Sequence, residues 1–204
     1  MIQMIKGTDI LLYSGINSET VSNVLIGEPS SDGKSYTLGI PKNDEHDWTD
    51  RKISFFGCFF RSIGYPQQGI TENIPLCWGK NVKVELVDIT GKCTIYSKDT
   101  YSRHVFDDVF FYDGRGEKVN KNGAVPADTV RVKIYSFAHD GSYYPKPGDI
   151  VVNRECQFEF DTSSEQKLSE SMADFRKIAG DVIVISSARA TLNGAKPDFE
   201  LIGR

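Results

Sequence analysis

Apolar residues recur at every second position through much of this chain. In Val130-Arg131-Val132-Lys133-Ile134-Tyr135 the even positions are apolar and two of the odd ones are charged, the period of a strand with one wet face. Val82 to Leu86 and Cys156 to Asp161 repeat the pattern. Short alternating or apolar runs bounded by Gly, Pro, Asn and Asp predict further strands. They lie at Asp9 to Tyr13, Val21 to Ile26, Ser35 to Ile40, Lys52 to Phe56, Cys58 to Ile63 and Thr94 to Ser97, then at Val105 to Tyr112, Asp149 to Val152, Asp181 to Ser186 and Phe199 to Ile202. One segment has the helical period instead. Over 163–179 the residues Leu168, Met172, Phe175 and Ala179 fall at i, i+4, i+7 and i+11, and Thr162 or Ser163 stands where an N-cap is needed. That stripe is expected to pack on a sheet.

Reading the halves against each other exposes a divergent internal repeat. Asp9 to Ser14 is echoed by Cys93 to Ser97, Val24 to Gly27 by Val109 to Tyr112, and Ser35 to Ile40 by Thr129 to Ile134. Asp50 to Phe55 corresponds to Pro147 to Val152. A tight hairpin is expected next in both halves, Phe56 to Phe59 against Val152 to Cys156, and Lys80 to Glu85 is matched to Gly180 to Ile185. The expected fold is therefore mainly β: two tandem small antiparallel β-barrel or sandwich domains, 1–88 and 92–204, the second with one packed α-helix. Closure of each sheet on itself would hide its edges.

Composition narrows the function. With 204 residues, two units of roughly 100 residues each are expected. No apolar window approaches the roughly 20 residues that span a bilayer, and the start has neither a basic leader nor a long apolar run, so neither a membrane span nor secretion is expected. A net charge of -4 with interspersed signs disfavours a broad phosphate-gripping face. Cys58, Cys77, Cys93 and Cys156 form no CxxC pair and are expected as free thiols.

Candidate chemistry is sparse. His46, His104 and His139 each have an acid nearby, but in different loops, and no HxH, HExxH or G-x-S-x-G occurs. Asp113-Gly114-Arg115-Gly116 lacks the Gly-Lys-Ser/Thr and helix of a nucleotide loop and reads as a turn. No catalytic, metal or cofactor-binding residue is assigned. The chain is expected to act by binding rather than as an enzyme, without a cofactor.

A long ordered series remains: Gly39 to Trp48, Lys52 to Gly57, Arg61 to Pro66, Gly69-Ile70 and Asn73 to Trp78. It resembles the minor capsid or head-closure proteins encoded in structural gene clusters of tailed phages and prophages of Gram-positive bacteria, over residues 5 to 88. The second half, in Asp181 to Ser187 and Phe199 to Gly203, looks like an uncharacterised phage family of similar clusters. The resemblance implies a virion neck protein made in the host cytoplasm: a β-barrel connector that self-associates into a ring between the portal or adaptor protein and the tail proteins. Such a ring retains packaged double-stranded DNA and lets it pass without sequence-specific binding. A tail terminator is a close variant; a carbohydrate- or receptor-binding tail-tip module is the alternative.

Rings close through head-to-tail interfaces built from exposed loops. Two equivalent loops are the candidates, Pro41 to Asp50 and Phe137 to Gly148. Each is polar yet carries aromatics, and the expected assembly contacts are Asp44, His46, Trp48, Tyr143, Tyr144 and Lys146.

Overall fold

The structure, a computed structural model, describes residues 7–68, 78–114, 117–120, 123–126, 129–180 and 182–204. Part of the ordered series (69–77), and with it Cys77, lies outside the described residues, as do Arg115, Gly116 and Asp181. By internal contacts the chain divides into two compact units, 1–88 with 192–197 and 89–191 with 198–204.

The first unit contains β1 (Thr8–Ser14), β2 (Asn17–Ile26), β3 (Ser35–Pro41), β4 (Lys52–Phe55), β5 (Cys58–Gln68) and β6 (Trp78–Leu86). They form a closed antiparallel barrel in the order β1-β2-β3-β6-β5-β4. Alternation explains the closure: in β1, Ile10 and Leu12 point in and are buried, while Leu11 points out and is exposed. The core joins them to Val21, Val24, Leu38, Ile40, Trp48, Ile53, Phe55, Phe60, Val82 and Val84. The β4–β5 turn is two residues, Phe56-Gly57, both with positive φ (51° and 74°), as the tight twist-matching hairpin requires.

The second unit contains β7 (Gly91–Tyr96), β8 (Arg103–Gly114), β9 (Glu117–Asn120), β10 (Gly123–Pro126), β11 (Thr129–Ile134), a 3-10 turn at Ser136–Ala138, β12 (Ile150–Val152), α1 (Glu165–Ala179), β13 (Ile183–Leu192) and β14 (Pro197–Gly203). β9 and β10 pair as a separate hairpin. The rest close as β7-β8-β11-β14-β13-β12. The two barrels thus share one strand order, with β1 to β6 answering to β7, β8, β11, β12, β13 and β14.

This order corrects two of the sequence matches. Lys80 to Glu85 lies in β6, whose counterpart is β14, not the 180–185 segment that enters β13. No hairpin follows β12: where the first barrel turns in two residues, the second runs through 153–182, including α1, before β13 pairs back onto β12. Cys156 to Asp161 is not a strand. Its alternation arises because Cys156, Phe158 and Phe160 face a small second core with Tyr96, Ile150, Val152, Phe175 and Ala179, while its backbone bonds to side chains, Cys156 N–H to Thr94 Oγ1 (2.9 Å) and Tyr96 O–H to Phe158 O (3.0 Å).

Helix α1 is capped by Ser164, whose hydroxyl accepts from Lys167 N–H at 3.2 Å, one residue later than the sequence pattern suggested. Gly180, at φ 73°, ends it. Phe175 and Ala179 seat it on the outer face of β7 and β12. Those strands are consequently buried on both faces: Cys93 to Tyr96 and Ile150 to Val152 read as continuous apolar or small runs.

Candidate functional site

The loop between β3 and β4 is built around one tryptophan. Trp48 is 0% exposed and belongs to the core of the first barrel. Its indole N–H donates to Asp44 Oδ2 at 2.7 Å. The other oxygen of Asp44 meets His46 Nδ1 at 2.5 Å, and His46 Nε2 lies 2.9 Å from Glu19 Oε2 on β2. These contacts make a continuous polar chain from the core to the surface. Hydrogen bonds to Asp44 first and Glu19 second raise the His46 pKa, against a smaller opposing effect of burial. Lys80 Nζ donates to Asp44 O at 3.0 Å, and Arg51 bridges Asp47 O and Ser14 Oγ, each at 2.9 Å. A pocket of about 150 Å³ opens beside His46, lined also by Tyr13, Asn17, Glu19, Asp47 and Arg51.

Trp48, expected as a docking aromatic, therefore has no surface to offer. The largely apolar indole gains far more from a closed barrel interior than from water, and Asp44 satisfies its single donor. Asp44 is itself only 5% exposed in its side chain and fully engaged. Of the three residues expected here, His46 alone reaches solvent, at 39%.

The equivalent loop, between β11 and β12, is anchored differently. Asp149, 1% exposed, accepts from Tyr143 O–H (2.7 Å), Lys98 N–H (2.9 Å) and Lys146 N–H (2.6 Å). Tyr143 stacks on His104 with ring centroids 3.7 Å apart. Burial, then the Asp149 hydrogen bond, pushes the Tyr143 phenol up to about 12, and burial lowers the His104 pKa. Tyr143 thus serves the loop's own packing. Tyr144 is half exposed, its ring edge-on to Phe199, and Lys146 is exposed beside Asp99 at 3.9 Å. Three of the six expected contacts lie in each barrel, and His46, Tyr144 and Lys146 keep substantial exposure.

Sequence reasoning missed Glu19, 27 positions from His46, and Asp149, which ties two donors of its own loop, Tyr143 and Lys146, to the distant Lys98 N–H. Only the placement of Asp149 at the head of a strand, after a Gly, signals a turn. Cys58 is exposed and Cys93 and Cys156 are buried, all three as free thiols; burial raises the Cys93 thiol to about 12.

A profile of a family of unknown function, DUF6751, matches residues 89–204. The chain belongs to this family. The DUF6751 segment begins where the second unit does, at Ile89, and contains the whole α1-bearing barrel. No curated protein and no solved structure matches the chain.

Proposed function

We propose that this chain is a structural protein of a tailed phage or prophage, a neck component that forms a ring between portal and tail. The observation that carries this reading is the ordered motif series of residues 39–78, whose described part, 39–68 and Trp78, belongs to a closed six-stranded barrel of β1 to β6. Closed barrels suit such a role because they present loops and outer faces without free strand edges, which favours defined contacts over open-ended pairing. A mixed-sign surface of net charge -4 suits a channel that packaged DNA must later leave. In this reading the protein works by steric closure and docking, without catalysis, and resides in the virion.

The alternative of a receptor-binding module rests on the Tyr143-Tyr144 pair as a sugar-stacking platform. It is weakened by the engagement of Tyr143 with His104 and Asp149, which leaves one half-exposed ring. Deleting the gene from its phage or prophage and imaging the induced particles tests the choice. Heads without attached tails are expected. Complete tailed particles that fail to adsorb would support receptor binding instead, and unaltered infectious particles would overturn both.

A further inference from the structure

Both ring nitrogens of His46 face acidic oxygens. Nδ1 lies 2.5 Å from Asp44 Oδ1, and Nε2 lies 2.9 Å from Glu19 Oε2. An ionised carboxylate can only accept, and a neutral imidazole has a single N–H to donate. Both contacts are therefore hydrogen bonds only while the ring carries two protons. Once one proton leaves, one nitrogen turns a lone pair toward an anionic oxygen, and that contact becomes repulsive.

The surroundings decide which contact fails. Asp44 has a side chain 5% exposed; its Oδ2 accepts the Trp48 indole N–H, its backbone N–H donates to Pro41 O at 3.1 Å, and its carbonyl accepts from Lys80 Nζ. These bonds keep it in place. Glu19 stands on β2 with its side chain 71% exposed, so water replaces His46 there at little cost. A buried acceptor deprived of its donor is the more expensive loss. The proton that stays is the one on Nδ1, and the contact that breaks is Nε2 to Glu19.

The other charged and titratable groups around the ring leave this arrangement intact. Tyr13 from β1 and Asp47 and Arg51 from the loop line the adjoining pocket with Glu19. Arg51 directs its guanidinium to Asp47 O and Ser14 Oγ, and Lys80 on β6 is bonded to the Asp44 carbonyl. Glu45 and His46 lie exposed between Asp44, fixed beside the buried Trp48, and Asp47, held by Arg51. This short tip can move without unseating the core.

We propose that His46 is a pH-operated latch. Its doubly protonated ring ties the exposed tip of the β3–β4 loop to Glu19 on β2; loss of the Nε2 proton frees the tip, while the Nδ1–H bond to Asp44 and the buried Trp48 keep the rest of the loop seated. Hydrogen bonds to Asp44 first and Glu19 second favour the charged ring, so release lies above the ordinary histidine value of 6.5. The latch is closed on the acid side of that transition and open on the alkaline side. It does not depend on what the chain assembles with.

Nuclear magnetic resonance of the purified full chain with labelled histidines is the test, with His46→Gln to tell its signal from those of His104 and His139. His46 is expected to titrate above 6.5, and its neutral form to be the Nδ1–H tautomer in long-range proton–nitrogen spectra. Ring-proton contacts to the Glu19 side chain, present at acid pH, should be lost through the same transition. Glu19→Gln, at an exposed position, probes the switch itself: a carboxamide accepts from the imidazolium and donates to the neutral ring. In that variant the ring contact should persist throughout and the titration should move down. A neutral Nε2–H tautomer overturns the latch. So do Glu19 contacts that stay unchanged while His46 titrates, or a titration midpoint that is the same in Glu19→Gln as in wild type.

Discussion

Replacing Trp48 separates a core role from a docking role more sharply than any other single change. Its side chain is completely buried among the first barrel's apolar residues, so Trp48→Ala removes the largest block of that core and leaves a cavity, at a cost of about 3–5 kcal/mol. It also strips a donor from Asp44. Trp48→Phe isolates this second effect: most ring volume stays, but a carboxylate only 5% exposed loses its 2.7 Å partner, for about 1–3 kcal/mol. Equilibrium urea unfolding followed by far-UV circular dichroism reads both. With a slope of about 1–2 kcal/mol per molar urea, Trp48→Ala lowers the midpoint of the affected transition by roughly 1.5 M or more. Asp44→Asn should be non-additive with Trp48→Phe, since the two share one hydrogen bond. If Trp48→Ala melts within about 1 kcal/mol of wild type while self-association or particle completion fails, the core assignment is refuted and Trp48 is a contact residue.

His46 makes stability depend on pH with a definite sign. Its folded pKa is raised above the ordinary 6.5, so its stabilisation is fully present below 6.5 and is lost as pH rises through the raised value; urea midpoints at pH 6 and pH 8 should show a difference that His46→Gln removes. Phe175→Ala, at a fully buried position facing Tyr96, Phe158 and Phe160, costs about 3–5 kcal/mol. Circular dichroism should report the loss of α1, and an unchanged melt would mean the helix does not hold the β7–β12 face. Cys58, Cys93 and Cys156 are free thiols, so among the described residues no disulfide holds the fold, and dithiothreitol should leave the melting temperature unchanged.

Local pattern alone determined the element types here: period-2 alternation located the barrel strands, and Leu168, Met172, Phe175 and Ala179 located the single helix. The repeat of Asp9 to Ile40 with Cys93 to Ile134 also foretold two copies of one architecture, because strand order follows from which alternating runs must share a core. Closure into barrels rather than sandwiches was decided only by the pairing of β4 back onto β1 and of β12 back onto β7. Alternation failed where one face was satisfied without a strand partner, as at Cys156 to Asp161, since burial on one side imposes the same period whether or not the backbone finds a ladder. It also misassigned β13 and β14, because both runs alternate and nothing local marks a 30-residue detour through α1. The candidate site was the least legible part. A tryptophan in a polar loop looks exposed until Asp44, four residues away, is seen to accept its N–H inside the barrel wall; whether such a ring meets water or core depends on how the loop folds back, and that is a property of the tertiary structure.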